Sequence, residues 1–324
     1  MKVALLASGP FAVPALDALH SGGPDFELCD VISRPDRPAG RGRKLRSNPV
    51  KTRALELGRD CWTPGSVNTP ELCEELAARE PDALIVADYG EILREEVLSI
   101  PPLGSFNLHA SILPAYRGAA PVVHALLGGE AQTGVSFFRI ERGLDSGPVL
   151  ACSVTPIEPM ETAGELERRL AELSAELLLS QLPLLAEGEA VERVQDESRV
   201  TLAPKLKKAD GLIDWNQPAA AVHDLVRGMN PWPLAHGFFL PSQGKAKRVN
   251  ILRSAPGEEG VSGVEPGEVC GVDDESFSVA CSVGAIRVLE LQREGKPAMD
   301  TASFIRGNPV ARGDRFGASL EAGA

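Results

Sequence analysis

The sequence predicts two linked folds: an α/β, Rossmann-like, doubly wound and mostly parallel sheet, then a small OB-like β-barrel. Three observations carry this. Short apolar runs alternate with amphipathic segments as far as residue 187, the pattern of strands paired in parallel through helical crossovers. Beyond residue 204 helical spacing nearly vanishes, and short strand runs are separated by turns dense in Gly, Pro, Asp and Ser, as in small barrels. A length of 324 residues with 43% apolar content suits about two cores.

In the first part, 2–7 reads as a strand ended by Ser8-Gly9-Pro10, and 11–21 as a helix through Phe11, Ala15, Leu16 and Leu19. A strand at 28–33 runs into a basic loop. Segments 49–58 and 69–79 read as helices, the second with Thr69 as N-cap and Pro70 at its first position. A strand at 83–87, a helix at 92–98 and a strand at 105–109 follow. Residues 119–127 form a helix, with Pro121 near its start and Gly128-Gly129 after its end. Strands at 134–140 and 149–154 precede a long helix at 162–186. The polar stretch 188–204 reads as a linker between a catalytic domain, 1–187, and a C-terminal domain, 205–316, which ends in a tail at 317–324. In that second domain a helix at 218–227 precedes five strands, at 235–240, 247–253, 267–272, 276–281 and 285–292.

The formal charge of −12 argues against a general polyanion binder. Residues 34–53 depart from it: Arg34, Arg37, Arg41, Arg43, Lys44, Arg46, Lys51 and Arg53 stand against Asp36 alone, laced with Pro35, Pro38, Gly40 and Gly42. So dense a basic stretch in an acidic chain points to phosphate or nucleic acid. The six cysteines contain no C-x-x-C pair, which fits buried thiols in a reducing, cytoplasmic setting. No apolar run approaches the ~18 residues of a membrane span. No His, Cys, Asp or Glu cluster has metal-ligand spacing, so no metal is expected. The first turn lacks G-x-G-x-x-G, which disfavours a dinucleotide, and no G-x-S-x-G marks a serine nucleophile.

The chemistry concentrates in Ser105-Phe106-Asn107-Leu108-His109-Ala110-Ser111-Ile112-Leu113-Pro114. Asn107 and His109 alternate with apolar Phe106 and Leu108, so a strand places amide and imidazole on one face. Asp145 follows 36 residues after His109, in the turn Gly143-Leu144-Asp145-Ser146-Gly147. Its carboxylate is read as aimed back at His109. An amide donor, an imidazole and a carboxylate suffice for acyl transfer without a covalent intermediate.

Together these residues resemble the methionyl-tRNA formyltransferases over nearly the whole chain. Residues Asn107 to Pro114 look like that family's N-x-H-x-S-L-L-P signature, followed by Arg117-Gly118-Ala119-Ala120-Pro121 and the Asp145 turn. Those motifs are shared with other folate-dependent formyltransferases and hydrolases, so they speak to the chemistry more than to the acceptor. Pro35-Asp36-Arg37-Pro38-Ala39-Gly40-Arg41-Gly42 is similar to the loop that in this family enters the acceptor stem of initiator tRNA. Lys205-Leu206, Ile213-Asp214-Trp215 and Asn230-Pro231-Trp232-Pro233 resemble the start of its tRNA-binding barrel. The first turn, Ala7-Ser8-Gly9-Pro10-Phe11, departs from the usual Gly-Thr-Pro-x-Phe, and the Ala-Tyr-Gly turn appears as Ala87-Asp88-Tyr89-Gly90.

The resemblance implies transfer of formyl from 10-formyltetrahydrofolate to the α-amine of methionyl-initiator-tRNA, for translation initiation. It implies that Asn107 and His109 donate to the oxyanion and that Asp145 orients His109 and relays the proton. Ser111, Ile112, Leu113, Pro114 and Tyr89 would hold the folate. Arg37, Arg41, Arg43, Lys44 and Arg46 would contact tRNA, with Arg41 reaching into it. A cytoplasmic monomer without metal is expected. The alternatives are a formyltransferase acting on an amino sugar or small amine, a hydrolase of formyl-folate, and a folate- or RNA-binding module without catalysis.

Overall fold

The computed structural model describes residues 1–39, 42, 44–257 and 263–319. Two compact units emerge: Met1–Pro121 with Gln132–Pro156 and Glu167–Ala203, and Val122–Ala131 with Ile157–Leu166 and Pro204–Ala324.

In chain order the first half gives β1 (Lys2–Ala7), α1 (Val13–Ser21), β2 (Glu27–Ile32), β3 (Arg37–Ala39), β4 (Lys44–Arg46), α2 (Pro49–Glu56), α3 (Pro70–Ala78) and β5 (Ala83–Ala87). Then come α4 (Glu95–Leu98), β6 (Gly104–His109), β7 (Arg117–Gly118), α5 (Pro121–Leu127), β8 (Gln132–Arg139), β9 (Val149–Pro156), α6 (Ala163–Glu187) and β10 (Leu202–Ala203). The main sheet has the order β2-β1-β5-β6-β8-β9. Its first four strands are parallel, as the alternation of strand and helix requires. β5 is buried along its whole length, which fits a strand covered on both faces. β8 runs antiparallel to β6 and to β9. The nine-residue connection from β8 to β9 is too short for a helical crossover.

Helix expectations hold where a cap fixes the start. Thr69 accepts the Leu72 N–H and Asn48 accepts the Lys51 N–H. The helix expected at 92–98 shrinks to α4, because the Asn68 side chain donates to the Ile92 carbonyl and accepts the Arg94 N–H. Those bonds compete with a helical turn. The basic segment, read as a loop, contains a two-stranded antiparallel ribbon that sets Arg37 opposite Arg46 and Ala39 opposite Lys44.

The stretch 188–204, read as a linker, is instead ordered within the first unit as far as Ala203. Val149 and Arg193 exchange backbone hydrogen bonds, and β10 pairs with β7. Several of the polar side chains that suggested a linker are bonded to partners far back in the chain: Glu192 to Arg139, Gln195 and Glu197 to Arg117, and Thr201 to Tyr116.

The second unit contains α7 (Ala219–Gly228), β11 (Ala235–Leu240), β12 (Lys247–Pro256), β13 (Val269–Val272), β14 (Phe277–Ala280), β15 (Ala285–Arg293), β16 (Ala298–Asp300), α8 (Thr301–Gly307) and β17 (Arg315–Gly317). The antiparallel order is β13-β14-β15-β12-β11-β17, with β16 on β15. A bridge from Glu268 to Arg315 nearly closes the barrel. Its core is built on Trp215, Phe239, Phe277, Phe304 and Phe316. The five expected strands are present. β16 and β17 escaped the sequence reading because three residues show no period.

Candidate active site

Alternation on β6 does what the sequence requires. Phe106 and Leu108 are buried, and Phe106 stacks on Phe137 of β8 with ring centroids 5.4 Å apart. Asn107 lies between Val86 of β5 and Phe138 of β8. His109 is buried, and its Nε2 donates to the Tyr116 carbonyl at 2.9 Å. That bond leaves Nδ1 as the nitrogen facing Asp145, whose Oδ2 is 3.8 Å away. The gap is longer than a hydrogen bond; such pairs commonly tighten when substrate binds.

The Asp145 turn is tightly built. Asp145 has a φ of +47°, in the left-handed region that side chains avoid. Its Oδ2 accepts the Gly118 N–H at 2.7 Å, and its carbonyl accepts Gln195 Nε2 at 2.8 Å. A Cβ on Gly147 would lie 1.9 Å from the Arg139 carbonyl oxygen, so the close approach of the chain demands glycine there.

Asn107 and Asp145 open into a cleft of about 830 Å³. One wall is 91–96, the other 140–145, and Val86 and Phe138 complete the apolar lining. The first wall is braced by Glu91, whose carboxylate accepts from Arg34, Ser66 and Asn68. Sequence reasoning pointed to the Asp145 turn of the second wall but missed 91–96 and 140–142. They lie just past the carboxyl ends of β5 and at the end of β8, where the position of open-sheet sites could have pointed.

Two groups of expected site residues fall elsewhere. Tyr89 is buried in the core under the Arg34 guanidinium, and burial pushes its phenol up to about 12. It does not line the cleft. Neither do Ser111, Ile112, Leu113 and Pro114. Ser111 and Leu113 are buried because the turn after β6 folds back onto Ser136, whose Oγ donates to the Ser111 carbonyl and accepts the Leu113 N–H.

The basic segment divides. Arg34, Lys51 and Arg53 are committed to Glu91, Asp36 and Asp17. Arg37, Lys44 and Arg46 are exposed on the ribbon. Like charges set directly across a ribbon repel, so the Arg37–Arg46 pairing favours a polyanion above it. Arg41 and Arg43 lie outside the described residues.

One titrating group was not foreseen. Asp88 has a φ of +44°, and its carbonyl accepts the Ser8 and Gly9 N–H groups. Part of the residue is open to solvent, but the carboxyl presses on Gly9. Its burial, with Glu167 nearby as the lesser cause, pushes it up to about 6. Among the described residues no three His, Cys, Asp or Glu side chains are grouped to hold a metal ion. No described helix is long and apolar enough to cross a membrane.

Comparison with known proteins bears on this arrangement. Residues 1–182 match the formyl transferase family and residues 205–309 the formyl transferase C-terminal domain. A methionyl-tRNA formyltransferase of Ruminiclostridium cellulolyticum is 39% identical over 98% of this chain and 100% of its own length. Another, from a Methylobacterium species, is 42% identical over 98% of this chain and 99% of its own. Among solved structures, the sugar 3N-formyl transferase WlaRD superposes with a TM-score of 0.65 at 16% identity, covering 92% of this chain and 99% of that one. HypX from Aquifex aeolicus, in complex with tetrahydrofolic acid, gives 0.59 at 19% identity, over 94% of this chain and 46% of that one.

Proposed function

This chain belongs to the methionyl-tRNA formyltransferase family and is an enzyme of formyl transfer; we propose that Asn107, His109 and Asp145 carry its chemistry. The reaction passes the formyl group of 10-formyltetrahydrofolate to the α-amine of methionyl-initiator-tRNA, for translation initiation. The observation that supports these roles is the shared cleft of Asn107 and Asp145, with His109 Nδ1 directed at the Asp145 carboxylate.

A free α-amine has a pKa of roughly 7.7–8.0, and an ester-linked one lies lower, so much of it is neutral near pH 7. Its nitrogen attacks the formyl carbon. The new N–C bond forms as the carbonyl pair moves onto oxygen. The Asn107 amide donates to this oxyanion, and losing one such donor costs ~10²–10³ in rate. Asp145 takes the amine proton, directly or through one water. Collapse breaks the bond from the formyl carbon to N10, and the proton held by Asp145 passes to N10, directly or through one water. As the imidazolium, His109 donates Nδ1–H to the oxyanion while its Nε2–H stays bonded to the Tyr116 carbonyl.

A flat pteridine suits the cleft, whose lining includes apolar Val86, Ile92, Leu93, Phe138, Ile140 and Leu144. In this reading Tyr89 and the 111–114 turn brace the site. Arg37, Lys44 and Arg46, with Arg41 and Arg43 from the same segment, contact tRNA. The enzyme works as a cytoplasmic monomer without a metal ion.

Radiolabelled formyl transfer to charged initiator tRNA, free methionine and an amino sugar tests the acceptor. Labelling of the sugar in preference would overturn it. Asp145→Asn should keep the fold and lose most turnover. A rate within about threefold of wild type, worth only ~0.7 kcal/mol of barrier, would make Asp145 a turn residue.

A further inference from the structure

We propose that Gln195 is a positioning residue for formyl transfer, holding the Asp145 turn so that its carboxylate meets His109. This rests on the role given to Asp145 above. Gln195 sits on the polar segment that follows α6, and its side chain is buried. Every hydrogen-bonding position of its amide is used. Nε2 donates to the Asp145 carbonyl at 2.8 Å and to the Gly147 carbonyl at 2.7 Å. Oε1 accepts from Arg117 Nε at 3.1 Å and Nη2 at 2.8 Å.

Arg117 makes that orientation the only workable one. A guanidinium has no acceptor, so it fixes the oxygen side of the amide, and the NH₂ must face the two carbonyls. The Arg117 side chain is itself buried and its fork continues onto Glu197. Gln195 therefore clamps the carbonyl of Asp145, a residue whose left-handed backbone has no intrinsic reason to persist, together with the carbonyl two residues further on. Arg117 is followed by Gly118, whose N–H holds the Asp145 carboxylate. Backbone and carboxylate of Asp145 are thus tied to one small frame.

The same segment reaches the other side of His109. Thr201 Oγ1 accepts the Tyr116 N–H at 2.8 Å, and the Tyr116 carbonyl accepts His109 Nε2. Tyr116 also has a left-handed φ, +61°. Gln195 and Thr201 are six residues apart, and between them they fix the two groups that face the imidazole. Neither touches the cleft. Their contribution is geometric, and a small misplacement of a reacting group can cost about a hundredfold in rate.

The test is Gln195→Met, which keeps length and bulk and removes all four bonds, assayed in the full-length enzyme with charged initiator tRNA and 10-formyltetrahydrofolate. The kcat should fall about tenfold to about a hundredfold, with both KM values within about twofold, as for an interaction expressed in the transition state. In an Asp145→Asn background, read by single turnover, the same change should alter the residual rate by less than about twofold, because its effect runs through the carboxylate. Thr201→Val, at an exposed residue, gives a second reading that does not depend on Gln195→Met folding: a kcat loss of about two- to fivefold with KM unchanged. Single-variant kcat values like wild type would overturn the proposal. So would a full further loss in the Asp145→Asn background, which marks a merely structural clip. A wild-type enzyme that fails to formylate methionyl-tRNA would undo the activity itself; an active wild type with an indifferent Gln195→Met would undo only this inference.

Discussion

Changing Arg37, Lys44 and Arg46 together to Gln isolates the electrostatic part of tRNA binding. All three are exposed on the β3–β4 ribbon, away from the core of the first unit. Their loss should leave the fold intact, with an unfolding midpoint within about 2 °C of wild type. Each phosphate neutralised contributes ~0.7–0.9 to the slope of log affinity against log salt, so three contribute about 2–2.7. Between ~50 and ~200 mM salt, wild type should lose about 20–40-fold more tRNA affinity than the triple variant. The assay is kcat/KM for charged initiator tRNA at the two salts, with the KM for 10-formyltetrahydrofolate as control. Folate binding should not move. Parallel salt plots for the two enzymes would refute the reasoning and return the ribbon to an ordinary solvated surface.

Gly147→Ala should cut kcat by at least about tenfold, since its Cβ meets the Arg139 carbonyl oxygen and the Asp145 turn must shift; full activity in a steady-state assay would contradict the close approach. Ser136→Ala leaves the Leu113 N–H and the Ser111 carbonyl without their buried partner, and denaturant unfolding should show a loss of about 1–3 kcal/mol. Asp88→Asn tests a raised carboxyl. Its folded value of about 6 lies above the ordinary 3.8, so its contribution is present below that ordinary value and lost as pH rises towards 6. The amide should therefore raise the unfolding midpoint near about pH 7.5 and make no difference near about pH 3.5; the same gain at both would remove titration as the cause.

Much of the site was legible because it is local. Asn107 and His109 share a face through strand alternation alone, and Thr69 announces its helix. What was illegible depends on partners distant in sequence. Nothing near Arg34, Lys51 or Arg53 says that Glu91, Asp36 and Asp17 absorb their charge. Gln195 looked like linker polarity because its bonds run back to Arg117, Asp145 and Gly147. The signature at 111–114 was visible as a motif, but the direction of its turn is set by Ser136 on another strand.

The second unit takes 122–131 and 157–166 from inside the first half of the chain. Val123 and Leu127 pack on the barrel core, Glu165 pairs with Arg253, and the Pro159 carbonyl is held by His223. The second unit is therefore not one contiguous stretch of chain. A recombination breakpoint near residue 204 would deliver a foreign barrel without the apolar and charged partners it was selected with. Exchange of C-terminal halves between related genes should succeed only when these two inner segments travel too.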